Sequence, residues 1–253
     1  LHIQIPPTAA IGQYAFSVIP HCVPGNSDLT PTLFPKPVVI LFNPWDPNDA
    51  VYLSSAAERE EYVLSESGAM WKGFARSRRP QAWFYNQFAS DSLLVTIDLL
   101  QGLTAAERAD GVAVSERLAL RIRNRDTGVL FGLWDGIYSG GSDPRIWSRS
   151  DEIFARYRST GATVRYGQCW VFGGLLTSSL RTLGIPARPV SNFESAHAED
   201  ATNLVVGSCW RYDPGLDEWD IDGRVWNFHV WCEGWMPSAG RSTRWHVLDA
   251  TYE

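Results

Sequence analysis

Tyr166-Gly167-Gln168-Cys169-Trp170-Val171-Phe172, running on to Leu183-Gly184-Ile185-Pro186, is the stretch from which the rest of the chain can be placed. After Gly167, apolar residues recur at three- and four-residue steps: Val171, Phe172, Leu175, Leu176, Leu180 and Leu183. That period predicts a helix with one broad apolar face. Gly184 with Pro186 just beyond predicts its end. The turn-forming Tyr166-Gly167-Gln168 predicts its start, which puts Cys169 in the first turn. A helix N-terminus offers unpaired N–H groups and the positive end of the dipole. Both favour thiolate over thiol, so Cys169 is a candidate nucleophile. The competing reading is a small buried hydrophobe.

Upstream of this helix the pattern is mostly helical. Val38 to Phe42 reads as a short buried strand closed by Asn43-Pro44. Ser54 or Ser55 is placed to cap a helix through Leu64, with Glu58 in its first turns. Further helices are predicted from about Asp91 to Leu100, from Ala105 to about Ile122 and from Ser148 to Arg158. Downstream the period shortens to two. Trp226 to Trp235 and Trp245 to Thr251 read as strands. Helices first and strands later predict an α+β fold rather than alternating βαβ units. Residues 1–37 are Pro-rich, with Tyr14, Phe16 and Val18 alternating as in a strand. They are expected to be the last strands of a preceding β-domain or an extended arm packed on the rest, with the main domain at residues 38–253.

Composition narrows the function classes. The net charge of the 253 residues is −6, which argues against nucleic acid as a partner. The basic cluster Arg76, Arg78, Arg79 reads as a solvated turn. No run of 18 apolar residues exists, so no membrane insertion is expected. The opening residues lack the basic start and apolar run of a signal peptide. Cys22, Cys169, Cys209 and Cys232 are too few and too scattered for a disulfide framework. Free thiols point to a reducing, cytoplasmic compartment, with leaderless secretion as the alternative. His229 and Cys232 form an H-x-x-C pair, but no second close pair completes a zinc site.

A thiolate nucleophile needs a base. Of five histidines, His229 lies in Trp226-Asn227-Phe228-His229-Val230-Trp231. On a strand it shares a face with Asn227, Trp231 and Glu233. Asp249 shares a face with Trp245 and Val247 on the next predicted strand. If the two strands pair, Asp249 can accept from His229. A cysteine on a helix would then meet His and Asp on neighbouring strands, the arrangement that generates a thiolate–imidazolium pair.

These motifs together resemble the animal-type, calcium-dependent transglutaminase family. Tyr166 to Phe172, Trp226 to Trp231 and Leu248-Asp249-Ala250-Thr251 carry the resemblance. Phe42-Asn43-Pro44-Trp45, Glu60 to Leu64, Leu183 to Pro186 and Ser191 to His197 support it, in order, over nearly the whole chain. The resemblance implies a papain-like cysteine transglutaminase core, cut short at its C-terminal end and preceded by a remnant of a β-sandwich. It implies Cys169 as nucleophile, His229 as general base and acid, and Asp249 as its orienter. Trp134, in Leu133-Trp134-Asp135-Gly136-Ile137-Tyr138, matches the tryptophan whose indole N–H supports the oxyanion. Trp226 matches the tryptophan that walls the acyl-acceptor tunnel. On the residues alone, both tryptophans read as core packing.

The implied reaction joins a protein glutamine to a lysine or a small primary amine through a Cys169 thioester, with water as an alternative acceptor. The implied activator is calcium, which takes carboxylate and carbonyl oxygens in loops. One matching loop is Arg123 to Gly128, where arginines intrude and Asn124 and Asp126 are the candidate ligands. A second is Ala198 to Asn203, which keeps Glu199, Asp200 and Asn203 with altered spacing and offers Asp200 and Asn203 as the candidate ligands. The rival readings are a transglutaminase-like hydrolase and a scaffold that has lost activity. The presence of all three triad residues weighs against the scaffold.

Overall fold

The computed structural model describes residues 3–18, 32–123, 125–196, 210–213, 218–221, 225–238 and 241–251. Short strands open the chain: β1 (Gly12–Tyr14), β2 (Ser17–Val18), β3 (Thr32–Leu33) and β4 (Val38–Ile40). They pair antiparallel as β1 with β4 and β2 with β3. Ile11, beside β1, is buried in the same apolar cluster as the later elements.

Helix α1 (Ala56–Arg59) continues as a π-helical turn, Glu60–Leu64. Ser55 is its N-cap and accepts from the Glu58 N–H at 3.2 Å, satisfying a first-turn donor. A hairpin follows, β5 (Ser67–Phe74) and β6 (Ser77–Phe84). Sequence reading did not anticipate it, because most of its side chains are solvent-exposed and the two-residue period is weak.

Helix α2 (Ser90–Leu99) lies within a residue of the expected span. The single helix expected over 105–122 is instead two, α3 (Ala105–Arg108) and α4 (Gly111–Arg123). Thr104 and Glu107 form a reciprocal capping box at the start of α3. The break follows because the Asp110 carboxylate accepts from the Val112 N–H at 2.8 Å and so caps a new helix. Strand β7 (Leu130–Gly132) pairs parallel with β8 (Val164–Gly167), and α5 (Ser150–Thr160) lies between them in sequence.

Helix α6 (Cys169–Thr182) is the axis of the core: all its residues are buried. Helices α2, α4 and α5 surround it, and β12 crosses its remaining side. A helix buried all round needs small residues where neighbours come close. A Cβ on Gly174 would lie 2.4 Å from the Trp83 ring, and Trp83 is itself fully buried. The helix ends at Gly184, whose φ of +85° is the left-handed conformation that glycine adopts without a Cβ penalty.

The strand half follows as β9 (Ala187–Ala196), β10 (Trp210–Asp213), β11 (Glu218–Ile221), β12 (Val225–Ser238) and β13 (Arg241–Leu248). β10 and β11 form a hairpin. β13, β12 and β9 form an antiparallel sheet in that order. The register sets His229 opposite Asn192 and Cys232 opposite Leu248. The molecule is thus α+β, with a helical layer on one side of α6 and a three-stranded sheet on the other. No helix among the described residues is long and apolar enough to cross a membrane.

Candidate active site

Cys169 begins α6, and the backbone before it is extended, with Gln168 at φ −135° and ψ 179°. Gln168 gives no side-chain cap to the helix. Its amide instead donates to the Leu133 carbonyl at 3.1 Å and to the Tyr138 hydroxyl at 3.0 Å, tying the helix start to the 133–138 loop. The first turn of α6 therefore keeps its dipole directed at the sulfur without a competing side chain. Cys169 is 3% exposed.

β12 supplies His229, which is 5% exposed. Its Nε2 lies 2.6 Å from Oδ2 of Asp249, just past the end of β13. The other Asp249 oxygen, Oδ1, accepts from the Thr251 N–H at 2.8 Å. Nδ1 of His229 has no conventional hydrogen-bond partner and is the nitrogen left for Cys169. Burial opposes charge on the ring. Hydrogen bonds and charge from Asp249 and Cys169 outweigh it and push the pKa up to about 10. The imidazole is accordingly a cation at neutral pH, with Nε2–H donating to Asp249. Its edge meets the Trp226 ring at a centroid distance of 5.0 Å.

A cavity of about 530 Å³ opens over Cys169, with Trp134, Trp226, Trp170 and Phe228 among its lining residues. Trp134 and Trp226 stack with centroids 6.1 Å apart and planes at 30°. Trp134 is 39% exposed, so this aromatic pair is a wall of the opening rather than packed core. Five of the sequence-derived candidates are therefore brought together: Cys169, His229, Asp249, Trp134 and Trp226. Two residues that sequence reading missed join them. Thr251 holds Asp249 through a backbone N–H that carries no side-chain signature. Lys72 lines the cavity from β5, a strand that was not foreseen.

Of the four metal candidates, only Asp126 is among the described residues. Asn124, Asp200 and Asn203 lie outside the described residues. Asp126 lines a separate cavity with Arg121, Arg125 and Arg165. One carboxylate among three guanidinium groups does not suit a hard dication. No group of three or more His, Cys, Asp and Glu suited to a metal occurs among the described residues. The H-x-x-C pair also diverges. Cys232 is fully buried against α6, where Thr177 donates to its sulfur at 3.3 Å. Burial pushes its thiol up to about 12.

Residues 145–250 match the family model described as the transglutaminase-like superfamily. The core of the chain is thus transglutaminase-like. It is 39% identical to human protein-glutamine gamma-glutamyltransferase E over 99% of its own length and 37% of that protein's. It is 40% identical to the human coagulation factor XIII A chain over 84% of its length and 30% of that protein's. The crystal structure of red sea bream transglutaminase superposes with a TM-score of 0.79 at 31% identity, covering 97% of this chain and 39% of the other. The chain thus spans about a third of the length of these relatives.

Proposed function

We propose that this chain is the catalytic core of a protein-glutamine gamma-glutamyltransferase. The observation that carries the reading is the His229 imidazole held between the Asp249 carboxylate and Cys169 at the mouth of α6. Cys169 as thiolate attacks the side-chain amide carbon of a protein glutamine. The oxyanion that develops is met by the Cys169 backbone N–H and the Trp134 indole N–H. His229, as imidazolium, passes its proton to the leaving ammonia, and a thioester remains. Neutral His229 then takes a proton from an incoming amine as the amine attacks the thioester. An isopeptide forms and the thiolate–imidazolium pair is restored. Trp134 and Trp226 sheath the alkyl stem of a lysine and exclude water, favouring crosslinking over deamidation.

Calcium is the activator in this reading. Asp126, set among guanidinium groups, is a poor ligand for it, and the loop carrying Asp200 and Asn203 is proposed for the role. Residues 1–37 are the end of a β-sandwich and residues 38–253 the core, in a protein that acts in the cytoplasm. Protein glutamines, protein lysines and small primary amines are the partners.

The test is fluorescent-amine incorporation into casein with calcium, read beside ammonia release without amine. Wild type is expected to incorporate amine and Cys169→Ala to lose it entirely. Full incorporation by Cys169→Ala would falsify the assignment. Ammonia release without incorporation would turn the reading to the hydrolase.

A further inference from the structure

Lys72 stands in the wall of the Cys169 cavity without an acidic partner. On β5 it is two residues from buried Met70 and so faces inward, while Trp71 between them is exposed. Its ammonium sits 4.0 Å from the centroid of the Trp170 ring, on the residue that follows the nucleophile. Among the described residues no carboxylate pairs with it. Among the described residues that line the cavity there is no Asp or Glu. The other lining cation, Arg145, is already engaged by Asp143. Among its described residues, a chain of net charge −6 therefore presents at this cavity a lysine whose nearest anion is the Cys169 sulfur and which has no carboxylate partner.

We propose that Lys72 is a specificity residue that selects glutamine donors carrying an acidic residue beside the reactive glutamine. This rests on the transglutaminase reading and names its donor class. The aromatic face of Trp170 holds the ammonium in place but cannot replace a carboxylate as its partner. A donor carboxylate completes the pair in a half-buried site, where a charge-assisted hydrogen bond outlasts solvent screening. Neutral flanking residues leave the ammonium unpaired.

Two measurements test this, and the first needs no turnover. Cys169 is alkylated with iodoacetate and, separately, with iodoacetamide, and the modified peptide is quantified. The ratio of the anionic to the neutral rate is expected to fall about fivefold in Lys72→Gln and to be kept in Lys72→Arg. An equal ratio in wild type and Lys72→Gln overturns the proposal. In the second, two donor peptides differing by Glu or Gln beside the reactive glutamine are compared by kcat/KM. Wild type should prefer the Glu peptide by about tenfold, the worth of one charge-assisted hydrogen bond. Lys72→Gln should lose the preference and Lys72→Glu reverse it; a preference unchanged by both variants overturns the donor assignment. If Cys169 alkylates with the expected charge dependence but neither peptide is turned over, the transglutaminase reading fails. The anion preference of the cavity then stands alone.

Discussion

Asp249 grips His229 from beyond its own strand: the 2.6 Å contact between Oδ2 and Nε2 is made just past Leu248, where β13 has ended. Thr251 fixes the second carboxylate oxygen, so Asp249 is held at both ends although it is a third exposed.

Asp249→Asn is expected to lower the rate of amine incorporation by roughly 10³-fold or more, because the ring loses the charge that keeps it an imidazolium. Stability should change with a definite sign. The His229 pKa rises on folding from 6.5 to about 10. The stabilisation is therefore complete below about pH 6.5 and is lost as pH climbs through about 10. Thermal melts across that interval should show wild type losing its advantage over Asp249→Asn. A constant difference between them would remove the coupling.

Trp134→Phe keeps a ring to stack on Trp226 and deletes the indole N–H. If that N–H serves the oxyanion, kcat falls about 10²- to 10³-fold with little change in KM. A change confined to KM would instead mark Trp134 as a substrate wall. Steady-state kinetics with a glutamine peptide separates the two.

Gly174→Ala tests the packing that seats α6. The added methyl would lie 2.4 Å from the Trp83 ring, whose indole N–H is fixed by Ser150 at 2.9 Å. We expect a loss of about 1–3 kcal/mol in urea unfolding. Gly173→Ala, which meets Val230 at 3.1 Å, should cost less.

Asp126→Ala should leave calcium binding unchanged in calorimetry, since Asp126 lies among Arg121, Arg125 and Arg165. Asp200→Ala should weaken it. Calcium affinity lost on removing Asp126 would restore the first loop as a site.

The legibility of the sequence varied with the range of the interaction. Helix α6 was readable because its apolar period, Gly184 and Pro186 are local signals that agree. The cap of α1 was readable to within one residue, Ser54 or Ser55, for the same reason. The division of the expected 105–122 helix was missed because Ala, Leu, Glu and Arg favour helix on both sides of Asp110-Gly111. The competing cap at Asp110 lies in one side chain. His229 and Asp249 could be named as partners only conditionally, since their approach depends on β12 pairing with β13. Lys72 had no signal at all: its strand is weakly patterned, and its neighbours Trp170 and Cys169 lie about a hundred positions away.

The burial of every residue in α6 has a genetic consequence. The segment that presents the sulfur is also the keystone of the interior, so lesions along it should depress abundance and turnover together. Alleles that silence chemistry while sparing protein level should cluster instead on β12 and the 133–138 loop. A deep mutational scan scored separately for abundance and for activity should trace that boundary.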